Sequence, residues 1–178
     1  NEVYYLEPGQ IDRSESTRRY FVSFPPGPAV LMMPLELIWG HDLNDVWFTI
    51  FFAALNIVLM YLVLKRLSLG GRTGRSRADN LWLTALLAFG TAHMWSSVLG
   101  EVWFTALVVG VTFTLLYILF AIDAKFPFLA GCALALGFAT RTPLVFASIF
   151  FFAFLFFPKG RFRPSHVWGR YGRLVRFC

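Results

Sequence analysis

A small set of side chains carries the chemistry open to this sequence. Between long apolar runs stand Asp42, Asn44, Asp45, Glu101 and Arg141, with His93, Ser96 and Ser97 a few positions away. A carboxylate in such a setting can orient an acceptor, hold a metal or act as a general base. An arginine presents a planar fork that grips phosphate oxygens. If the apolar runs cross a bilayer, ionisable groups among them are costly and are functional candidates by default. Each also has a purely structural reading. Glu101, in "SSVLGEVWFT", reads equally as a carboxylate favoured at a helix start by the macrodipole, and Asp42 and Asp45, which precede a helix, read first that way. Arg141, in "GFATRTPLVF", reads equally as a cation closing one helix, with Thr142 capping the next and Pro143 in its first turn. His93, alone on an apolar helix, reads first as a packing residue. We take Glu101 as the candidate catalytic carboxylate and Arg141, His93, Asp42 and Asp45 as candidate substrate-binding residues, and leave a metal open. The sequence has no Walker loop, zinc spacing or nucleophile elbow. Cys132 and Cys178 make neither a disulfide framework nor a metal site.

The elements that would position these residues follow from composition. The chain has 57% hydrophobic, 19% aromatic and only 15% charged residues, against about 25% charged in a soluble domain. Lipid must then cover much of the surface, which predicts an all-α polytopic membrane bundle. The net charge of +6 fits basic cytoplasmic loops rather than nucleic acid. The first residue, Asn1, and the ending "RLVRFC" read as a piece of a longer protein, with no signal peptide.

A spanning helix needs roughly 20 apolar residues. Residues 46–64, 81–99 and 102–122 qualify, with Asn44 or Asp45 capping the first and Asp79 or Asn80 the second. Two shorter runs, 127–140 and 143–157, would be tilted or shielded spans. The loop 65–80 carries Lys65, Arg66, Arg72, Arg75 and Arg77, and its glycines read as a flexible basic loop. The tail 158–178 carries Lys159, Arg161, Arg163, Arg170, Arg173 and Arg176. Both belong on the cytoplasmic side. Five crossings satisfy both placements and put Gly100 and Arg141 outside.

Residues 1–27 then form an extracytoplasmic loop, and 28–157 the transmembrane domain. The segment 28–39 enters from outside and must return outside, so it reads as a short interfacial helix. Pro25, Pro26 and Pro28 hold the chain extended before it, and Pro28 suits a first helical turn.

This order of pieces resembles the membrane glycosyltransferases of the GT-C fold, among them protein mannosyltransferases, aminoarabinose transferases and the Rgt-like bacterial group. "FPPGPAVLMMPLELIWG" (24–40) is similar to the family's surface turn and juxtamembrane helix. "LALGFATRTPLVF" (134–146) resembles its "G-x-x-x-[KR]-x-P" stretch, and residues 75–122 resemble the two spans between. The resemblance implies a GT-C-like bundle in a bacterial cytoplasmic (inner) membrane. It implies transfer of a sugar from a polyprenyl-phosphate carrier to a glycan, lipid or protein acceptor on the extracytoplasmic side. The family's main acidic residue follows its first span. Glu2, Glu7, Asp12 and Glu15 lie in the corresponding loop here without an acidic motif, so that residue is expected upstream of Asn1. Two other readings stay open: a transporter or flippase of lipid-linked or small polar substrates, and a structural membrane subunit.

Overall fold

Two helices set the frame, and a polar ladder sets their direction. The computed structural model describes residues 26–40 and 43–156, and these contain seven α-helices and no strand. Helix α2 (Asp45–Leu69) and helix α5 (Val102–Ala121) are each long and apolar enough to cross a bilayer. At 1.5 Å per residue, the 20 residues of α5 span about 30 Å, close to a hydrocarbon core. Thr49 Oγ1 meets Thr105 Oγ1 at 2.7 Å, Asn56 donates to the Val108 carbonyl at 2.9 Å, and Thr112 donates to Asn56 Oδ1 at 2.6 Å. Partners keep nearly constant sequence separation down the pair, so α2 and α5 run parallel and in register. Thr49 and Asn56 are fully buried. Burying such groups unpaired would cost about 1–3 kcal/mol each, and the ladder removes that cost.

The return between them is broken. The run 81–99 was expected as one span. It forms α3 (Arg77–Phe89) and α4 (Ala92–Leu99), interrupted at Gly90–Thr91. One hydroxyl bridges the gap: Thr91 Oγ1 donates to the Leu87 carbonyl at 2.9 Å and accepts from the His93 N–H at 3.2 Å. Glycine at 90 and a β-branched capping residue at 91 favour a stop and restart over a continuous helix. The α3 cap is Ser76, with Asp79 as its capping-box partner, rather than Asp79 or Asn80. At α4's far end Gly100 adopts φ +62°, and a Cβ there would stand 2.9 Å from the Val46 backbone. The end of α4 thus lies directly on the start of α2.

Past α5, a short 3-10 turn (Ile122–Ala124) leads to α6 (Pro127–Thr140), matching the expected run 127–140. The run 143–157 does not form one helix. It begins as a 3-10 segment (Thr142–Ala147) and continues as α7 (Ser148–Phe156). The Tyr117 hydroxyl pins that change, donating to the Ala147 carbonyl at 2.8 Å and accepting from the Phe151 N–H at 2.9 Å. Together α6 and α7 make a hairpin beside α5. Ala130, Ala133 and Phe151 cluster with Tyr117 and Ala121, and the hairpin's tip, Thr140 and Leu144, meets Gly110.

Helix α1 (Pro26–Trp39) begins two residues before the expected 28. Leu31, Met32 and Leu35 pack against Phe48, Val109 and Phe113. A Cβ on Gly27 would stand 2.6 Å from Thr140 Oγ1, so the root of α1 rests on the tip of the α6–α7 hairpin.

Candidate functional site

The two ends of the bundle gather different groups. At one end, Asp45 opens α2 and Glu101 caps α5. Each lies one turn before a member of the Thr49–Thr105 pair, and positions i and i+4 share a helix face. The ladder therefore sets the two carboxylates on matching stripes of adjacent parallel helices. Glu101 is exposed, and its side chain makes no capping hydrogen bond. Asn44 does the capping for α2, its Oδ1 accepting from the Val46 N–H at 2.9 Å. The third carboxylate here is Glu36 of α1, whose charge bears on Asp45. Sequence reasoning left Glu36 out of the site. It is the only charged residue of α1, and that was the available signal.

Between α1 and the start of α2 lies an open groove of about 550 Å³. Its walls are almost wholly apolar, with Leu35, Trp39, Trp47, Phe48 and Phe51 prominent and Asn44 at the rim. Such a groove suits hydrocarbon, and Glu36 and Asp45 directly follow two of its lining residues, Leu35 and Asn44, in the chain.

Arg141 is not in that group. It follows Thr140 at the tip of the α6–α7 hairpin, level with Gly110 of α5. Eight residues, about 12 Å of helix, separate Gly110 from the start of α5 at Val102. The expected position at the same end as Glu101 is thus corrected to a deeper one. The cause is the length of α6, whose 14 residues reach only about 21 Å. Arg141 is half-buried. Among the described residues it has no ion-pair partner, and its long side chain can reach back along the bundle. Its backbone, rather than Thr142, provides the cap of the 3-10 segment.

His93 lies in the first turn of α4 and is 9% exposed. With Ser96 and Ser97 it makes the buried stripe of that helix. Ser97 Oγ donates to the His93 carbonyl. The His93 Nε2 is buried without a hydrogen-bond partner among the described residues. Asp42 lies outside the described residues. No group of three or more His, Cys, Asp or Glu side chains able to hold a metal occurs among the described residues.

The opposite end holds the basic turn between α2 and α3. It is closed rather than floppy. The Gly71 N–H bonds the Ser68 carbonyl at 3.1 Å and the Arg72 N–H the Leu67 carbonyl at 3.2 Å. With Gly71 at φ +64°, that is a Schellman stop. Arg72 pairs with Asp123, and Asn80 donates to Ser68 Oγ at 3.0 Å. Lys65 and Arg66 belong to α2 and Arg77 to α3, so the turn is shorter than the expected loop 65–80. Hydrogen bonding to Ser76, backbone N–H first and hydroxyl second, holds the Asp79 carboxyl below its ordinary range.

Compared with protein-family models, with curated proteins and with solved structures, the chain finds no match.

Proposed function

We propose that this chain is part of a multi-pass membrane glycosyltransferase that takes its sugar from a polyprenyl-phosphate carrier. The observation that carries the reading is the amphiphilic character of the Glu101 end. An apolar groove of about 550 Å³ lies between α1 and the start of α2, at the end of the bundle where Asp45 and Glu101 begin their helices, and Arg141, without an ion-pair partner among the described residues, lies deeper. A lipid phosphate asks for that combination: apolar walls for the chain and a guanidinium for the phosphate. The carboxylates would orient an acceptor hydroxyl or take its proton. Loss of a phosphate leaving group builds negative charge, and a fixed cation in a poorly hydrated site stabilises it.

The membrane setting has its own support. Exposed Trp39, Trp47, Trp95 and Trp103 collect toward the Glu101 end, and Trp82 lies near the opposite one. Aromatic belts at the two interfaces look like this. The basic turn 70–76 would face the cytoplasm and the Glu101 end the extracytoplasmic side, in a bacterial inner membrane.

One observation favours a transporter or flippase instead. The α3–α4 break, and the meeting of α1 with the α6–α7 hairpin at Gly27 and Thr140, resemble the interrupted helices of transporters. Proteoliposomes made with the longest available form of the protein separate the two readings. The experiment supplies a polyprenyl-phosphate sugar on the outside and follows both sugar transfer to water or an added acceptor and lipid flux to the lumen. Transfer without flux supports the enzyme. Flux without transfer overturns it in favour of the transporter.

A further inference from the structure

The basic end has a feature that orientation in a membrane does not require. The positive-inside rule counts charges and is indifferent to their arrangement. Here the arrangement is fixed. The Schellman stop at Gly71, the Ser76–Asp79 capping box and the Arg72–Asp123 pair close the turn from three sides. Ser68 ties it further, through Thr73 at 3.3 Å and Asn80 at 3.0 Å. Among the described residues, six cations stand at this end, Lys65, Arg66, Arg72, Arg75, Arg77 and Lys125, against two carboxylates, Asp79 and Asp123. Both carboxylates are already engaged, one by Ser76 and one by Arg72. Gly71 and Gly74 have open space where a side chain would be, so the backbone between the arginines is accessible.

One donor is conspicuous. The Arg75 Nε is buried and has no hydrogen-bond partner among the described residues. A buried guanidinium N–H left unpaired costs more than a neutral one. Arg75 is half-buried, so with Nε turned inward it is the remaining, outward part of the guanidinium that would meet a phosphate oxygen by charge-assisted bonds, and arginine is the side chain best shaped for that partner.

We propose that the α2–α3 turn is a binding site for the phosphate of an anionic phospholipid headgroup, with Arg75 as its centre and Lys65, Arg66 and Arg77 around it. The lipid source follows from position. The turn joins the end of a helix long and apolar enough to cross a bilayer to the exposed, apolar Leu81 and Trp82 of α3. A basic group immediately beyond a membrane helix meets anionic headgroups. The site is independent of the glycosyltransferase reading and would serve a transporter equally well.

Native mass spectrometry of the full chain in detergent micelles tests it, with phosphatidylglycerol, phosphatidylcholine and inorganic phosphate as probes. Phosphatidylglycerol should be retained in preference to phosphatidylcholine. Arg75→Gln should weaken that retention about fivefold, from roughly 1 kcal/mol per basic contact. Adding Arg66→Gln should weaken it further by a similar factor. Arg75→Lys keeps the charge and loses the guanidinium fork, and should fall between wild type and Arg75→Gln. Circular dichroism establishes that each variant is folded. Lys125→Gln removes the same charge from the same end and should change retention less than twofold. If Lys125→Gln weakens binding as much as Arg75→Gln, only bulk charge is at work and the site is overturned. Displacement of the lipid by an equal concentration of inorganic phosphate would overturn the lipid assignment.

Discussion

The two ends of the bundle carry similar kinds of residue and use them differently. At the Arg72 end, charges and helix termini are spent on one another: Arg72 on Asp123, Asp79 on Ser76, and Gly71 on the last carbonyls of α2. At the Glu101 end they are not. Glu101 caps α5 without a side-chain hydrogen bond, the like charge of Glu36 bears on Asp45, and an apolar groove lies between α1 and the start of α2. Halfway down, Arg141 has no acidic partner among the described residues. Saturated polar groups stabilise a fold. Unsaturated ones beside a groove cost stability and are where a ligand can act. On the proposed function this contrast divides a structural end from a functional one, and it can be broken by experiment.

The largest effect is expected at Glu101. Glu101→Gln keeps shape and removes charge, so on the proposed function glycosyl transfer should fall by about 10²–10⁴-fold, the range for loss of an acid–base or charge-stabilising group. The thermal midpoint should hardly move, because no hydrogen bond of the cap depends on the side chain. Turnover equal to wild type, measured with radiolabelled donor, would reduce Glu101 to a helix-start carboxylate and remove the functional half of the contrast.

Arg141 comes next. A hydrogen bond to a charged group contributes about 1.5–3 kcal/mol, or roughly 10- to 150-fold in affinity. Arg141→Ala should weaken binding of the polyprenyl-phosphate donor by that much, and Arg141→Lys by less, since it keeps charge and loses the fork. Equal donor affinity in all three proteins would sink the phosphate clamp. Leu35→Trp, which fills the groove from α1, should weaken the same donor without altering affinity for a short-chain analogue.

Much of the frame was legible in the sequence, and the reasons for the rest are local. Apolar length alone places α2 and α5, since nothing interrupts them. The 127–140 helix is bounded by Pro127 and by the Arg141–Pro143 stretch, and the structure keeps those bounds. The run 81–99 misled because its hydropathy is continuous while its backbone is not. Gly90 and Thr91 weigh little in an apolar average, yet they end one helix and start another. Arg141 misled through arithmetic: alternating crossings assume that every apolar run traverses the full thickness, and 14 residues do not. The Asp45–Glu101 relationship was hidden for a different reason. It depends on the register of two helices, which is set by Thr49, Asn56, Thr105 and Thr112, residues that read individually as unremarkable.

Two glycines sharpen the contrast at smaller scale. Gly71 and Gly100 both adopt left-handed φ, at +64° and +62°. An alanine in that region costs roughly 1–2 kcal/mol. Around Gly71 nothing lies within 4 Å of the added carbon, whereas at Gly100 it would strike the Val46 backbone. Gly71→Ala should therefore cost the backbone term alone, and Gly100→Ala that term plus a displacement of α4 from α2. Thermal midpoints in detergent should fall further for Gly100→Ala. Equal losses would mean that the packing of α4 on α2 adds nothing.

The smallest expected effect is titration of the Arg72 end. Asp79 accepts from the Ser76 N–H at 2.7 Å and from its hydroxyl at 2.9 Å, and these bonds favour the ionised carboxylate. Its folded value therefore lies below the ordinary 3.8. A depressed carboxylate adds stability that is fully present above the unfolded value. That stability disappears as pH falls through the folded one. The capping box should thus contribute at pH 7 and weaken only under strongly acid conditions, below about pH 4. Asp79→Asn removes the titration while keeping the shape. The gap in thermal midpoint between wild type and Asp79→Asn should be constant from pH 7 to about 5 and close as the pH drops further. If the Asp79 gap persists unchanged at the lowest pH, the charge contributes nothing to the cap. The Arg72 end would then be held by Gly71, Ser76 and the Arg72–Asp123 pair without it.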